Sequence, residues 1–393
     1  MRIDHIEAIT LRFEYDDGFT YAGGKCSARV TTLVRVHTDN GEVGIGSGYS
    51  HPSLLHLIIE RQLAPLLQGE DPTEVERLWK RMYQVTRWYG RKGAAMSALG
   101  ALDTAFWDLR GKTHGKPVWS LLGGNRTTCP AYASALLWSD VADLEQEARR
   151  HQQRGFCRAK MRLGRDPEQD IAAVRAVHGV LGDGNVLVDG SMRYDVATAR
   201  RLAAVLAECK VLWFEEPFEP EDIDSYSALR DACPVPLAAG ENEFGIQGFR
   251  ELIRAGAVDI VQPDASRCGG ISEVRRVGEL AGIAGLRVAP HTWSDAVAIT
   301  ANAHVVASID HGITVEVDQT GNPFVEELLV EPPEVREGQL TLSTAPGLGI
   351  ELNESTIDRY RLADPLEIPD GLYSDMVFGR SFLIADETST LQD

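Results

Sequence analysis

A chain of 393 residues with 44% apolar and 25% charged side chains has the composition of a soluble globular protein, and its length exceeds what one hydrophobic core usually serves. Its formal charge of −19 comes without any block of basic residues, which argues against nucleic acid and anionic membrane surfaces, and no apolar run reaches the length of a membrane span. Six scattered cysteines without a C-x-x-C pair, and an N-terminus without an apolar signal-peptide core, point to a reduced, cytoplasmic compartment.

Residues 1–50 read as strands at 2–10, 31–37 and 42–46, with Asn40-Gly41 supplying the positive φ angles of a type I′ turn between the last two. Between the first two lies a polar, glycine-containing stretch, 14–27, too long for a simple hairpin connection and therefore a candidate lid loop. Residues 44–48 (Gly-Ile-Gly-Ser-Gly) lack the G-x-G-x-x-G spacing, so they are expected to form a closely packed loop rather than a nucleotide site. From 54 to about 122 the pattern turns helical. One helix begins at 54–59, and a second has Pro72 near its first turn and Val75, Leu78 and Tyr83 along it. A third runs through Ala94, Ala98, Ala101, Ala105 and Leu109, where small residues suggest close helix contact. Strands followed by helices make a segregated α+β unit.

After Cys129-Pro130 the grammar changes to alternation. Apolar runs at 131–135, 159–163, 185–189, 211–215, 235–239, 258–262, 286–290 and 313–317 are separated by seven helical segments. Eight strands and seven helices at a near-constant period predict a parallel (β/α)7β barrel, a modified TIM barrel, with a doubly wound open sheet as the alternative. The expected organisation is an N-terminal α+β capping domain over 1–125, a barrel over 126–330, and a C-terminal segment over 331–393 that returns to the cap. Residues 385–393 are expected to fray.

Three of the runs end in acids one βα unit apart: Asp189, Glu215 and Glu241. On a barrel they converge on the C-terminal face, where they would repel one another without a cation, and a hard divalent ion such as Mg²⁺ suits three oxygen ligands. The other strands carry Lys160 and Arg162, Asp264, His291 and Glu316 at the same end. His291 is the best base, because imidazole titrates near neutrality. Asp264 could bond its far nitrogen, Glu316 could present a protonated carboxyl to a developing oxyanion, and the two cations could hold an anionic substrate. His304 and His311 read as ordinary core or surface residues, and no H-x-H pair suggests a zinc hydrolase.

Lys-x-Arg at 160–162, Asp189, Trp-Phe-Glu-Glu-Pro at 213–217, Gly-Glu-Asn at 240–242, Pro-Asp at 263–264 and Pro-His at 290–291 resemble the enolase superfamily, and within it the mandelate racemase branch. Residues 101–112, Leu-Leu-Gly-Gly at 121–124 and Pro-Gly-Leu-Gly at 346–349 add to the resemblance. It implies a capped barrel, one Mg²⁺ per site, an enediolate intermediate, a small anionic acid-sugar substrate and a symmetric homo-oligomer. It also implies that cap segments 14–27 and 47–56 close over the substrate, making Tyr21, Lys25, Ser50 and His51 candidate specificity residues. Two departures stand out. Arg162 replaces a lysine that commonly acts as a second base, and guanidinium is a poor base. Ser191 stands where relatives often carry Asn, and is a shorter candidate donor to substrate. One-base chemistry then favours dehydration of an acid sugar, with epimerisation, racemisation, lactone cycloisomerisation or a catalytically silent acid-sugar binder as alternatives.

Overall fold

The structure is a computed structural model that describes residues 1–21, 24–364, 372–373 and 376–377. The chain opens with an antiparallel sheet in which β1 (Ile3–Tyr21) pairs with β2 (Gly24–Thr38), and β3 (Val43–Gly48) adds on to β2. Residues 14–21 and 24–27 are therefore paired strand and not the loop expected. A register shift between Glu14 and Phe19 takes up their polar residues, and Tyr15 packs edge-to-face on Phe13 and Phe19 at 5.0 and 5.3 Å.

Residues 44–48 are likewise strand, yet the close packing expected of them is real. A Cβ on Gly46 would collide with the backbone carbonyl of Ala101 on the buried helix Ala94–His114, so only glycine lets sheet and helix approach so closely. Pro72 lies ahead of the helix Val75–Thr86 and not in its first turn, because Asp71 Oδ1 accepts the Thr73 amide and hydroxyl at 3.0 and 2.7 Å and fixes a turn there.

The eight parallel strands and seven helices follow as expected. Strands Thr128–Ser134, Ala159–Arg162, Val186–Asp189, Phe214–Glu215, Leu237–Ala239, Ile260–Val261 and Arg287–Val288 pair in succession. The eighth, Val315–Asp318, pairs with residues 131–134 of the first, and a parallel bridge from Val288 to Gly312 closes the ring. Tyr132, Leu187, Trp213, Ala238, Ile260 and Ala289 form a buried apolar cluster of their own inside it. Side chains two residues further along a strand share a face. Beyond Leu187, Trp213 and Ala289 those positions are Asp189, Glu215 and His291, so this apolar layer is the floor on which the polar groups stand.

The C-terminal segment stays with the barrel past residue 331. Val335–Arg336 and Gln339–Thr341 form a hairpin that pairs with 128–130 of the first strand. The return to the cap comes later, through Arg35 to Glu354 at 2.6 Å, the Leu362 amide to the Thr10 carbonyl at 2.9 Å, and backbone pairing of 376–377 with Cys26 and Lys25. Residues 385–393 lie outside the described residues. No helix among the described residues is long and apolar enough to cross a membrane.

His304 sits in the fully buried part of the seventh barrel helix, Ala296–Ser308. Its Nδ1 accepts the Trp119 amide at 3.0 Å and its Nε2–H donates to the Leu348 carbonyl at 3.1 Å, so the neutral ring satisfies both neighbours. A second ring proton would face an N–H. Burial holds its pKa down at about 4, against 6.5 when unfolded. The unfolded chain therefore takes up a proton first, and stability falls as pH drops from about 6.5 towards 4. Between pH 7 and pH 4 the wild type should lose about 3 kcal/mol more than His304→Asn, measured by urea unfolding. Parallel pH profiles for the two proteins would show that the ring is not held neutral.

Candidate active site

The strand ends bring Asp189, Glu215 and Glu241 together. One oxygen from each lies within 4.8 Å of the others, with Asp189 and Glu215 buried and Glu241 partly so. Glu241 Oε2 is buried and has no hydrogen-bond partner among the described residues, which is costly for a carboxylate unless a cation serves it. Oxygen-only donors, convergence and an orphaned carboxylate oxygen all fit Mg²⁺.

Two cations stand among the acids. Lys160 Nζ lies 2.5 Å from Glu215 Oε1, 2.9 Å from Glu316 Oε1 and 3.7 Å from Asp189 Oδ2. Burial alone would lower the Lys160 pKa, but Glu215 and Glu316 more than offset it, and the ammonium is held charged. Arg162 Nη1 pairs with Asp189 Oδ2. Lys160 and Arg162 thus share that one carboxylate oxygen.

Glu316 is brought to the site as expected, but in the opposite protonation state. Burial would raise its pKa, yet Lys160 and then His291 pull it below the ordinary carboxylate range, and its Oε2 accepts the Thr292 amide at 2.8 Å. Glu316 thus anchors Lys160, with its carboxyl biased towards the ionised form. Glu216 is the carboxyl that carries a proton at neutral pH. Burial and the neighbouring Glu241 push it up to about 8, and Asn242 Nδ2 donates to it at 2.7 Å.

His291 and Asp264 form the expected pair, Nδ1 to Oδ2 at 2.9 Å. The other Asp264 oxygen accepts from the Ser266 amide and hydroxyl, both at 2.8 Å, and from Asn302 Nδ2 at 3.2 Å, so its orientation is fixed. With Nδ1–H on Asp264, Nε2 is left as the acceptor, 3.7 Å from Glu241 Oε2. Burial lowers the basicity of the ring, but Glu241 and Asp264 outweigh it and raise the pKa above the ordinary value.

The expected substrate contacts are less uniform. Ser191 turns inward on the metal set: its amide and hydroxyl reach Asp189 Oδ1 at 2.7 and 3.4 Å, so it supports a ligand instead of offering its donors to substrate. Ser50 and His51 follow Tyr49, whose amide bonds the Ser266 carbonyl at 3.0 Å, and this places them beside the loop that carries Asp264. Lys25 is exposed on β2, with no ion pair to the barrel among the described residues. Tyr21 pairs with Gly24 near the hairpin tip, and its side chain lies outside the described residues.

Three residues were not anticipated. Arg29 on β2 is buried and bonds Asp318 Oδ2 at 2.7 Å, and Trp293, two residues past His291, lies beside it. Asn302 braces Asp264, His291 and Thr292. Asp318 was legible from period two beyond Glu316; a buried arginine in a β-branched run gave no signal.

The chain matches the domain family "Enolase C-terminal domain-like" over residues 143–356 and "Mandelate racemase / muconate lactonizing enzyme, N-terminal domain" over 13–123. It is 33% identical to the D-galactarolactone cycloisomerase of Agrobacterium fabrum, over 93% of this chain and 100% of that one. It is 32% identical to the arabinonate dehydratase of Saccharolobus solfataricus, over 83% and 89%. The crystal structure of L-talarate dehydratase from Polaromonas sp. JS666, complexed with Mg and L-glucarate, superimposes with a TM-score of 0.82 at 29% identity, covering 92% of this chain and 97% of that one.

Calorimetric titration with Mg²⁺ in the absence of substrate tests the donor set. Asp189→Asn should weaken binding by at least ~100-fold, and Ser191→Ala by about tenfold as a supporting group. Unchanged Mg²⁺ affinity in Ser191→Ala, with a raised KM, would return Ser191 to the substrate.

Proposed function

We propose that this chain, which belongs to the mandelate racemase/muconate lactonizing enzyme branch of the enolase superfamily, is an enzyme of the hydro-lyase class that dehydrates an acid sugar, an aldonate or aldarate, to a 2-keto-3-deoxy acid. One observation carries the choice of a single-base reaction. Of the three nitrogen groups at the barrel mouth, Lys160 is held protonated between Glu215 and Glu316, Arg162 is tied to Asp189, and His291 alone has a ring nitrogen free to take a proton.

Asp189, Glu215 and Glu241 would hold Mg²⁺, which when bound would supply positive charge that favours ionisation beside the substrate carboxylate. Lys160 adds a second positive charge at that carboxylate. His291 Nε2 takes the proton from the carbon next to the carboxylate, leaving an enediolate. Asp264, bonded to Nδ1, stabilises the imidazolium that forms. The Nε2–H then returns its proton to the β-hydroxyl as the carbon–oxygen bond breaks, water leaves, and the resulting enol becomes the 2-keto acid. Glu316 takes no part in proton transfer; it anchors Lys160 and the Thr292 amide.

A second reading is favoured by the end-to-end match to a cycloisomerase. There the same proton is removed, but the leaving oxygen belongs to a lactone ring, so the product has the mass of the substrate. With Mg²⁺ and a panel of aldonates, aldarates and their lactones, mass spectrometry should find a 2-keto acid lighter by one water. A product of unchanged mass would establish cycloisomerisation or epimerisation, and no turnover together with no deuterium uptake from D₂O would remove both. His291→Asn should lower turnover by about 10²–10⁴-fold with Mg²⁺ affinity near wild type; an active variant would move the base to Lys160.

A further inference from the structure

Arg162 is held from two sides. Its Nη1 pairs with Asp189, and its guanidinium carbon lies 4.9 Å from the centre of the Trp293 ring. The same ring faces a second guanidinium, that of Arg29, at 4.3 Å. Two cations on one indole would repel each other if bare, but each has its own carboxylate. Arg162 has Asp189, and Arg29 Nη2 bonds Asp318 Oδ2 at 2.7 Å. Arg29 is fixed further by Thr320 Oγ1 at 2.9 Å and Tyr15 OH at 3.3 Å, and it lies 5.5 Å from the Phe19 ring. Arg29, Tyr15 and Phe19 belong to the cap sheet; Trp293 lies in the loop after the seventh barrel strand, Asp318 ends the eighth and Thr320 follows it.

We propose that Arg29 of the cap is a positioning residue for the barrel reaction, acting through the Trp293 ring to hold the Arg162 guanidinium flat against Asp189. Guanidinium stacks on an indole through its plane, and a lysine ammonium does not reproduce that plane. The loop concerned, residues 291–295, also carries the base, and the cap grips it a second time where Thr31 Oγ1 bonds Asp295 Oδ2 at 2.5 Å. Cap seating and Arg162 orientation are therefore one mechanical event. A displaced cap strand would free Arg162 to swing from Asp189 into the reacting space.

The proposal rests on Arg162 lying at the reacting centre, and the experiment separates the two ideas. Full-length Arg29→Lys keeps the charge opposite Asp318 but loses the plane; kcat should fall about tenfold with little change in KM and with the thermal midpoint close to wild type. Trp293→Phe, which keeps a ring face, should retain more activity than Trp293→Leu. In an Arg162→Met background the Arg29→Lys change should cost almost nothing further, because the coupled partner is gone. Wild-type kcat in Arg29→Lys, or a full additive loss in the double variant, would overturn the coupling. A fully active Arg162→Met would instead overturn the placement of Arg162 at the reacting centre.

Discussion

Lys160 is the residue on which the mouth of the barrel depends. Its ammonium touches Glu215 and Glu316 with all three side chains withdrawn from water. Taking ions out of water costs several kcal/mol each, and attraction between them repays this only when geometry and further hydrogen bonds are good. Here the Trp213 indole donates to Glu215 Oε2 at 2.9 Å and the Thr292 amide serves Glu316. Even so, carboxylates outnumber cations around Asp189, Glu215 and Glu241. The site is therefore built to need a divalent ion, and the same imbalance keeps Lys160 charged. The electrostatics that draw the acids together thus also hold this lysine in its charged form.

The backbone around the ligands bears the same constraint. Ser191, Met192 and Glu216 all have positive φ, at 52°, 59° and 30°, where residues with side chains are uncommon. All three lie within three residues of a strand end that carries a metal-ligand candidate, Asp189 or Glu215. At Ser191 the left-handed residue sits in the tight turn whose amide bonds back to Asp189 Oδ1. At Glu216 it carries the second carboxyl of the Glu-Glu pair away from Glu215 and towards Asn242. Such conformations persist where surrounding contacts over-determine them, and they cluster at working sites.

The sequence made the barrel and its acids legible because two signals coincided. Short apolar runs recurred at a near-constant period, and the last seven of the eight each carried an ionisable group where the strand leaves the core. Asp189, Glu215, Glu241, Asp264 and His291 needed nothing more. The cap was read less well. Residues 14–21 and 24–27 form paired strands rich in polar residues, and polarity without alternation is indistinguishable from a loop. The protonation of Glu316 was misread for a different reason. Burial alone points to a raised pKa, and the cations around it, Lys160 first and then His291 and Arg162, reverse the sign. Arg29 was invisible, since a charged residue in a strand reads as solvent-facing until its partners on residues 293, 318 and 320 are in place.

Strand order carries the argument to stereochemistry. His291 follows the seventh strand and Arg162 ends the second, three steps apart around a ring of eight, so they stand on different sides of the barrel mouth. A lysine at 162 could accept a proton from its side; a guanidinium tied to Asp189 and laid on Trp293 cannot. If His291 is the only base, the proton it removes and the oxygen it later protonates must both be within reach of one Nε2. The α-hydrogen and the leaving oxygen then lie on the same face of the carbon–carbon bond, whether that oxygen leaves as water or stays attached as an opened ring. The substitution at 162 therefore bears less on how fast a proton is removed than on which configurations at two adjacent carbons can react at all.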